Sequence, residues 1–361
     1  MLLKIRNILI SLVLLAVTYQ AHAEDGHQTA TENKSFNLKE MLFSHVLDAY
    51  EWHVFTMPDG KHISIPLLVI VKSSEKGWFI FSSSRLAHGH AYEGFSISHN
   101  EKYRGKVVET TANGEEIRPL DLSFTKNAAA ILLSCILLVV IFLRLASGYR
   151  KAPLKSRRGF AGVLEMLIMS IYDDVIKPCA GPNYRKFSPY LLTAFFFVFL
   201  NNLFGLIPVF PGAANVTGNL SVTMVLALLT FILTNVYGNR EYWKEVFWPD
   251  VPVWLKVPLP IMPFVEILGL FTKPFALMVR LFANMLSGHF IVLVFMGLIF
   301  IFAELFGQAV AGGVSIVSVA FSGFILLLDV LISFIQAYVF TMLSAVFIGL
   351  GQVEHHPEKA H

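Results

Sequence analysis

The stretch Lys273-Pro-Phe-Ala-Leu-Met-Val-Arg280-Leu-Phe-Ala-Asn284-Met-Leu-Ser287-Gly-His289-Phe, continued by the apolar run 291–302, decides how this chain is read. If it is one helix, Arg280 lies about 10 Å beyond Lys273 and the next charge, Glu304, roughly 36 Å further on. That spacing puts a guanidinium inside a bilayer, at a cost of about 3 kcal/mol or more, so it is expected to face a partner or a water-filled path. At 100° per residue Asn284 and Ser287 share the face of Arg280, whereas His289 points to the other side. Ala283, small and on the arginine side, would let another helix approach closely.

A second stretch answers the first: Ile325-Leu-Leu-Leu-Asp329-Val-Leu-Ile-Ser333-Phe-Ile-Gln336-Ala-Tyr-Val-Phe. A turn in the segment 307–313 would fold the two into an antiparallel helical hairpin. Arg280 with Gln336, Asn284 with Ser333, and His289 with Asp329 then mirror about one point near Gln308. The hairpin is predicted to carry a polar ladder, with Arg280 at its centre.

Composition sets the surroundings. Of 361 residues 55% are hydrophobic and 15% charged, with a mean hydropathy of +0.62, too apolar for a soluble chain of this length. The net charge of +3 gives no case for nucleic acid, because the basic residues cluster beside apolar runs and report topology instead. The fold class expected is an all-α polytopic membrane protein: transmembrane helices plus a long tilted helical hairpin, preceded by a small exported mixed α/β domain. Residues 1–23, with Lys4, Arg6, an apolar run and Ala21-His22-Ala23, read as a cleavable signal peptide. Residues 24–126 read as an exported polar domain, 127–352 as a transmembrane channel domain, and 353–361 as a cytoplasmic tail.

Within the polar domain a helix is predicted over 36–52 and strands over 62–71 and 78–81. His45, Asp48, Glu51 and His53 are dense enough to raise a metal site, but their spacing matches no ligand set and a solvated helix face is the better reading. The first mature span is 127–145. Arg144, Arg150, Lys151, Lys155, Arg157 and Arg158 at its far end make that end cytoplasmic. Residues 160–176, carrying Glu165, Asp173 and Asp174, read as an amphipathic surface helix. Spans follow at 188–208 and 219–237 around a Pro/Gly turn, which gathers Asn201, Asn202, Thr217, Asn219 and Ser221 at one outer end. After a cytoplasmic loop, 238–257, the chain re-enters, with Glu266, Lys273 and Arg280 on one stripe at seven-residue intervals. The hairpin ends near Leu350, giving five spans.

Arg280-Leu-Phe-Ala-Asn284-Met and the downstream Gln336-Ala-Tyr-Val-Phe resemble subunit a of the rotary ATP synthase membrane sector. The likeness runs from about 122 to 352 and includes Lys273-Pro274, Asn202-Leu203 and the segment around Asn219. It implies a stator subunit without catalytic chemistry or cofactor of its own. Protons would pass through two offset half-channels to and from the carboxylates of a c-subunit ring, with Arg280 separating the channels. The partners implied are that ring, the b subunits of the peripheral stalk and, indirectly, the soluble catalytic sector, in a bacterial inner membrane. The sequence leaves H⁺ and Na⁺ both open. Asn284 and Gln336 match positions beside the arginine, and Glu266 a carboxylate on the cytoplasmic exit side; His289, Asp329, Asn202, Asn219, Ser287 and Ser333 complete the expected path. Many members have Glu nine residues after the arginine and His seven before the glutamine; here His289 and Asp329 stand there, acid and imidazole exchanged. Gly205 and Thr217 stand where some members carry acids. A rival reading, a secondary transporter binding an anion at Arg280, predicts inverted repeats, and no repeat is evident. A hydrolase using His289 and Asp329 lacks a nucleophile.

Overall fold

The computed structural model describes residues 48–56, 62–73, 77–98, 100, 102–111, 115–151, 158–207, 214–248 and 261–352. The signal segment, His45, the His53 side chain, the outer Pro/Gly turn, the loop beyond Trp248 and the terminal tail lie outside these residues. Contacts divide the chain into two units, 1–133 with 203–216 and 286–330, and 134–202 with 217–285 and 331–361.

The first unit opens with short antiparallel strands: β1 (Glu51–Thr56) pairs with β2 (His62–Pro66). Next, β3 (Leu68–Ser73) lies between β4 (Gly77–Ser82) and β8 (Leu120–Asp121), and β6 (Val107–Thr110) between β5 (Phe95–Ile97) and β7 (Glu116–Ile117). Two sequence expectations are corrected here. Glu51 and Trp52 are strand, not helix, because Trp-His-Val-Phe-Thr is aromatic and β-branched and Trp52 is buried opposite Ile65. The single strand expected over 62–71 is two strands in different sheets. Pro66 has no N–H to continue a ladder, and Leu67 turns instead to Ser83, whose Oγ accepts from the Leu67 amide at 3.0 Å. The period-two pattern of β3 buries Val69 and Val71 beside Phe81, Phe95, Val107 and Leu86. Tyr50 enters this core with its hydroxyl donating to Asp121 and accepting from the Val107 amide at 3.3 Å. Burial first, and then that bond to Asp121, push its phenol above the usual range.

Helix α1 (Lys126–Lys151) follows β8 after four residues. Its start is tied to the sheet unit: the Phe124 amide donates to Leu68 at 2.8 Å, the Lys126 amide to Ala49 at 2.9 Å, and the Asn127 amide to the Asp48 carboxylate at 3.1 Å. A carboxylate on the first amides of a helix satisfies an orphan donor and complements the dipole.

In the second unit α2 (Phe160–Ser170) runs through a π turn (Ile171–Ile176) to Cys179. Its Phe160, Val163, Met166 and Met169 are exposed, as expected of an interfacial helix. Helix α3 (Tyr184–Leu206) buries Leu191, Phe195, Val198 and Asn202 at helical spacing. Helix α4 (Leu220–Val236) buries Thr223, Ala227, Thr230 and Thr234, then bends by 105° into α5 (Arg240–Phe247).

Helices α6 (Ile261–Phe306) and α7 (Gln308–Leu350) are 46 and 43 residues long. At 1.5 Å per residue each is about twice the roughly 30 Å hydrocarbon core, which suits the expected hairpin of long helices. The turn is tighter than expected. Gly307 alone has positive φ, 82°, a conformation glycine adopts without a Cβ penalty, and Gly312 and Gly313 remain helical inside α7. Among the described residues, helices α1, α3, α6 and α7 are long and apolar enough to cross a membrane, and the bent pair α4–α5 brings the count to as many as five.

Candidate ion path

On α6, Arg280 is exposed while Leu277 and Leu281 on either side of it are buried at 2% and 1%. Two leucines drive one face of the helix inward and leave the guanidinium on the outer face. Ala283 and Ser287 are exposed on that same face, and Asn284 is half-buried beside it. On α7, Gln336 and Ser333 are buried, with Ser333 at 0% exposure.

Asn202 of α3, also at 0%, donates from Nδ2 to the Ser333 carbonyl at 3.4 Å and accepts from the Thr217 hydroxyl at 2.6 Å. Thr217 therefore fixes the orientation of the amide from the place where an acid was missed. The Asn219 side chain is the N-cap of α4, accepting from the Ser221 amide at 3.0 Å, so capping accounts for its placement. Asn201 is buried with its Oδ1 unpaired among the described residues.

In the first unit the two halves of the hairpin meet as the mirror relation requires. Phe295 stacks on Phe321 at 5.6 Å, and Asp329, 8% exposed, lies against Gly288. A Cβ on Gly288 would stand 2.8 Å from Asp329 Oδ1 and 3.0 Å from Oδ2. Gly288 went unremarked in the sequence; its signal is a glycine between two polar residues of an otherwise apolar helix. His289 is turned elsewhere. Its Nε2 is buried without a partner among the described residues, 3.4 Å from where a Gly205 Cβ would be, with the Ala214 carbonyl 3.7 Å from that point. Asp329 packs on one side of the segment and His289 opens on another.

Two features of the second unit were not read from the sequence. A buried hydroxyl line joins Tyr190 to Thr230 at 2.9 Å and Thr230 to Ser344 at 3.2 Å. Its signal was Thr223, Thr230 and Thr234 of α4, seven and four apart and so on one face of the helix. A cavity of about 30 Å³, lined by Thr230, Thr234, Asn235, Tyr242, Lys273 and Pro274 among others, has room for a water or two. Half-buried Glu266 acts electrostatically on the Tyr242 of that lining.

These observations define a polytopic membrane protein with a guanidinium on the exposed face of a long apolar helix, and with buried amides, hydroxyls and a carboxylate among its described residues. The ATP synthase A chain family matches residues 129–349, and a domain family of unknown function matches 41–124. The chain is 37% identical to ATP synthase subunit a of Chloroherpeton thalassium, over 76% of this chain and 77% of that one. It is 42% identical to ATP synthase subunit a of Myxococcus xanthus (70% and 82%), and 43% to ATP synthase subunit a 2 of Chlorobaculum tepidum (68% of each). The chain belongs to the ATP synthase subunit a family.

Proposed function

We propose that this chain is the stationary a subunit of the ATP synthase membrane sector and conducts protons to and from the carboxylates of a rotating c ring. It makes and breaks no bonds in the nucleotide; it couples proton flow to rotation. The observation that carries the reading is Arg280, a lone guanidinium held on the exposed face of α6 by the burial of Leu277 and Leu281. A fixed cation there favours the ionised form of each passing rotor carboxylate, so the carboxylate gives up its proton before crossing from one half-channel to the other. Arginine suits this because the guanidinium keeps its own proton.

We assign Asn202, Asn219, Asn284, Ser287, Ser333, Gln336, His289 and Asp329 to the proton path, as the resemblance implies. Glu266 and the small cavity at Lys273 and Tyr242 serve the exit side. The span pattern supports a multi-pass protein of a bacterial inner membrane. Residues 24–126 lie outside as an exported domain behind a signal at 1–23, 127–352 form the channel domain, and 353–361 are the cytoplasmic tail. Besides the c ring, the b subunits and the soluble catalytic sector are the expected partners.

The test is Arg280→Ala in membrane vesicles. ATP-driven proton pumping and ATP synthesis are lost while the subunit still assembles, and Arg280→Lys fails as well. Coupled pumping at the native rate by Arg280→Ala would overturn the assignment.

A further inference from the structure

Strand β3 is apolar on both of its faces. Val69 and Val71 are buried in the domain core, while Leu68 and Lys72 are exposed on the other side with half-buried Ile70 between them. The register sets Ile80 of β4 beside Ile70, and Trp78 of β4 and Leu120 of β8 on either side of Lys72. Beyond β8 the chain keeps the same line: the Leu122 amide donates to the Ile70 carbonyl at 2.9 Å and the Phe124 amide to that of Leu68 at 2.8 Å. Ile80 and Leu122, which flank Ile70, are 66% and 61% exposed. A solvated face of an antiparallel sheet is ordinarily polar, and a contiguous apolar face marks a contact with a membrane or a partner.

This face leads into a membrane span. From Lys126 to Arg144 the apolar part of α1 is about 27 Å long, slightly less than the roughly 30 Å hydrocarbon core. The residues just before Lys126 therefore reach the interface, where headgroups add about 5–7 Å on each side. Phe124 and Leu122 precede Lys126 closely enough to lie at most about 7 and 14 Å from it, so the sheet face begins at that layer. Its polarity is graded to match. Leu68, Ile70, Ile80 and Leu122 lie nearest the span, whereas the Lys72 ammonium, 5.8 Å from the centroid of the Trp78 ring, lies in the farthest row, about 7 Å beyond Ile70. Hydrocarbon first, then an indole and an ammonium, is the order in which a leaflet passes from acyl chains to headgroups. A partner protein sets no such gradient.

We propose that the N-terminal sheet domain seats its β4–β3–β8 face in the lipid leaflet at the Lys126 end of α1, with Trp78 and Lys72 at the headgroups. The domain thereby holds the start of α1, whose first amides are fixed by Ala49 and Asp48, at a set depth in the membrane. The proposal rests on α1 as a span and not on which ion the chain conducts.

The experiment uses the whole ATP synthase in proteoliposomes, in a background lacking Cys135 and Cys179. Single cysteines at Ile80, Leu122 and Glu93, all exposed side chains, carry a nitroxide, and its collisions with oxygen, which concentrates in hydrocarbon, are compared with those of a water-soluble nickel chelate. Ile80→Cys and Leu122→Cys collide more with oxygen than with nickel, and Glu93→Cys shows the reverse. A nickel preference at Ile80 and Leu122 would mean that the face stands in water, and shielding from both reagents would mean that a protein covers it; either result overturns the proposal. A second substitution separates seating by the sheet from mere nearness to the span. Ile80→Glu puts a charge on the face without touching the core, and the Leu122 nitroxide then loses its oxygen preference, whereas Ile80→Val keeps it. An oxygen preference at Leu122 that survives Ile80→Glu would show that α1 alone holds that residue in lipid, and the seating role would fall.

Discussion

Gly288 offers the sharpest test of how α6 and α7 pack. Gly288→Ala places a methyl 2.8 Å from Asp329 Oδ1, 3.0 Å from Oδ2 and 3.1 Å from Cγ, three atoms of one buried carboxyl at once. Real Cβ contacts essentially never fall below 3.0 Å, so the carboxyl or the helix must shift. Alanine returns up to about 1 kcal/mol of helix propensity, whereas overpacking a fixed contact costs about 1–3 kcal/mol. The clash wins by about 1 kcal/mol, and Gly288→Val loses more because its two extra methyl groups have nowhere to go. The assay is thermal dissociation of the assembled membrane sector, alongside proton pumping per assembled subunit. Asp329→Ser shortens the opposing side chain and restores thermal stability in the Gly288→Ala background, although it does not restore flux. Native stability and flux in Gly288→Ala, or no recovery on adding Asp329→Ser, would refute the packing argument.

Tyr50→Phe leaves the Asp121 carboxylate and the Val107 amide without their shared partner and destabilises the sheet domain by about 1–3 kcal/mol; faster amide exchange at Val107 measures it. Because the folded phenol titrates above its unfolded value of 10.0, this contribution is full at neutral pH and is lost only as the pH rises past 10. A cysteine at Gln352 in a background lacking Cys135 and Cys179 is labelled from the cytoplasmic side and one at Glu93 from the outer side; the opposite result would reverse the orientation read from Arg144, Arg150 and their basic neighbours. His289→Glu and Asp329→His each slow proton flux, while the double exchange recovers more than the product of the single effects; purely multiplicative losses would mean that the imidazole and the carboxylate act on separate steps.

Much of this protein was legible in its sequence. Arg280 declares itself because a charge is costly in hydrocarbon and its neighbours in charge along the helix stand about 10 Å before it and roughly 36 Å beyond it. The hairpin was readable because an antiparallel pair ties residue number to depth, and the contacts of Phe295 with Phe321 and of Gly288 with Asp329 fall on the same mirror point. The face that Arg280 shares with Asn284 and Ser287 followed from helical periodicity alone. These are local properties of period and cost, and a single chain carries them.

The tertiary structure decided what depends on close approach between distant segments. Periodicity placed Asp329 and His289 at one depth but could not say that the carboxyl packs on Gly288 while the imidazole turns to Gly205. Nor could it show that Thr217 orients Asn202, because that contact depends on how the chain returns after an irregular turn. The strand break at Pro66 was present in the sequence as a missing donor, yet its outcome rested on Ser83 being near enough to take the freed amide. The tie from Asp48 to the start of α1 spans 79 positions. No short-range pattern encodes it, since it exists only once the sheet core around Tyr50, Val69 and Phe95 has folded and set the two ends side by side.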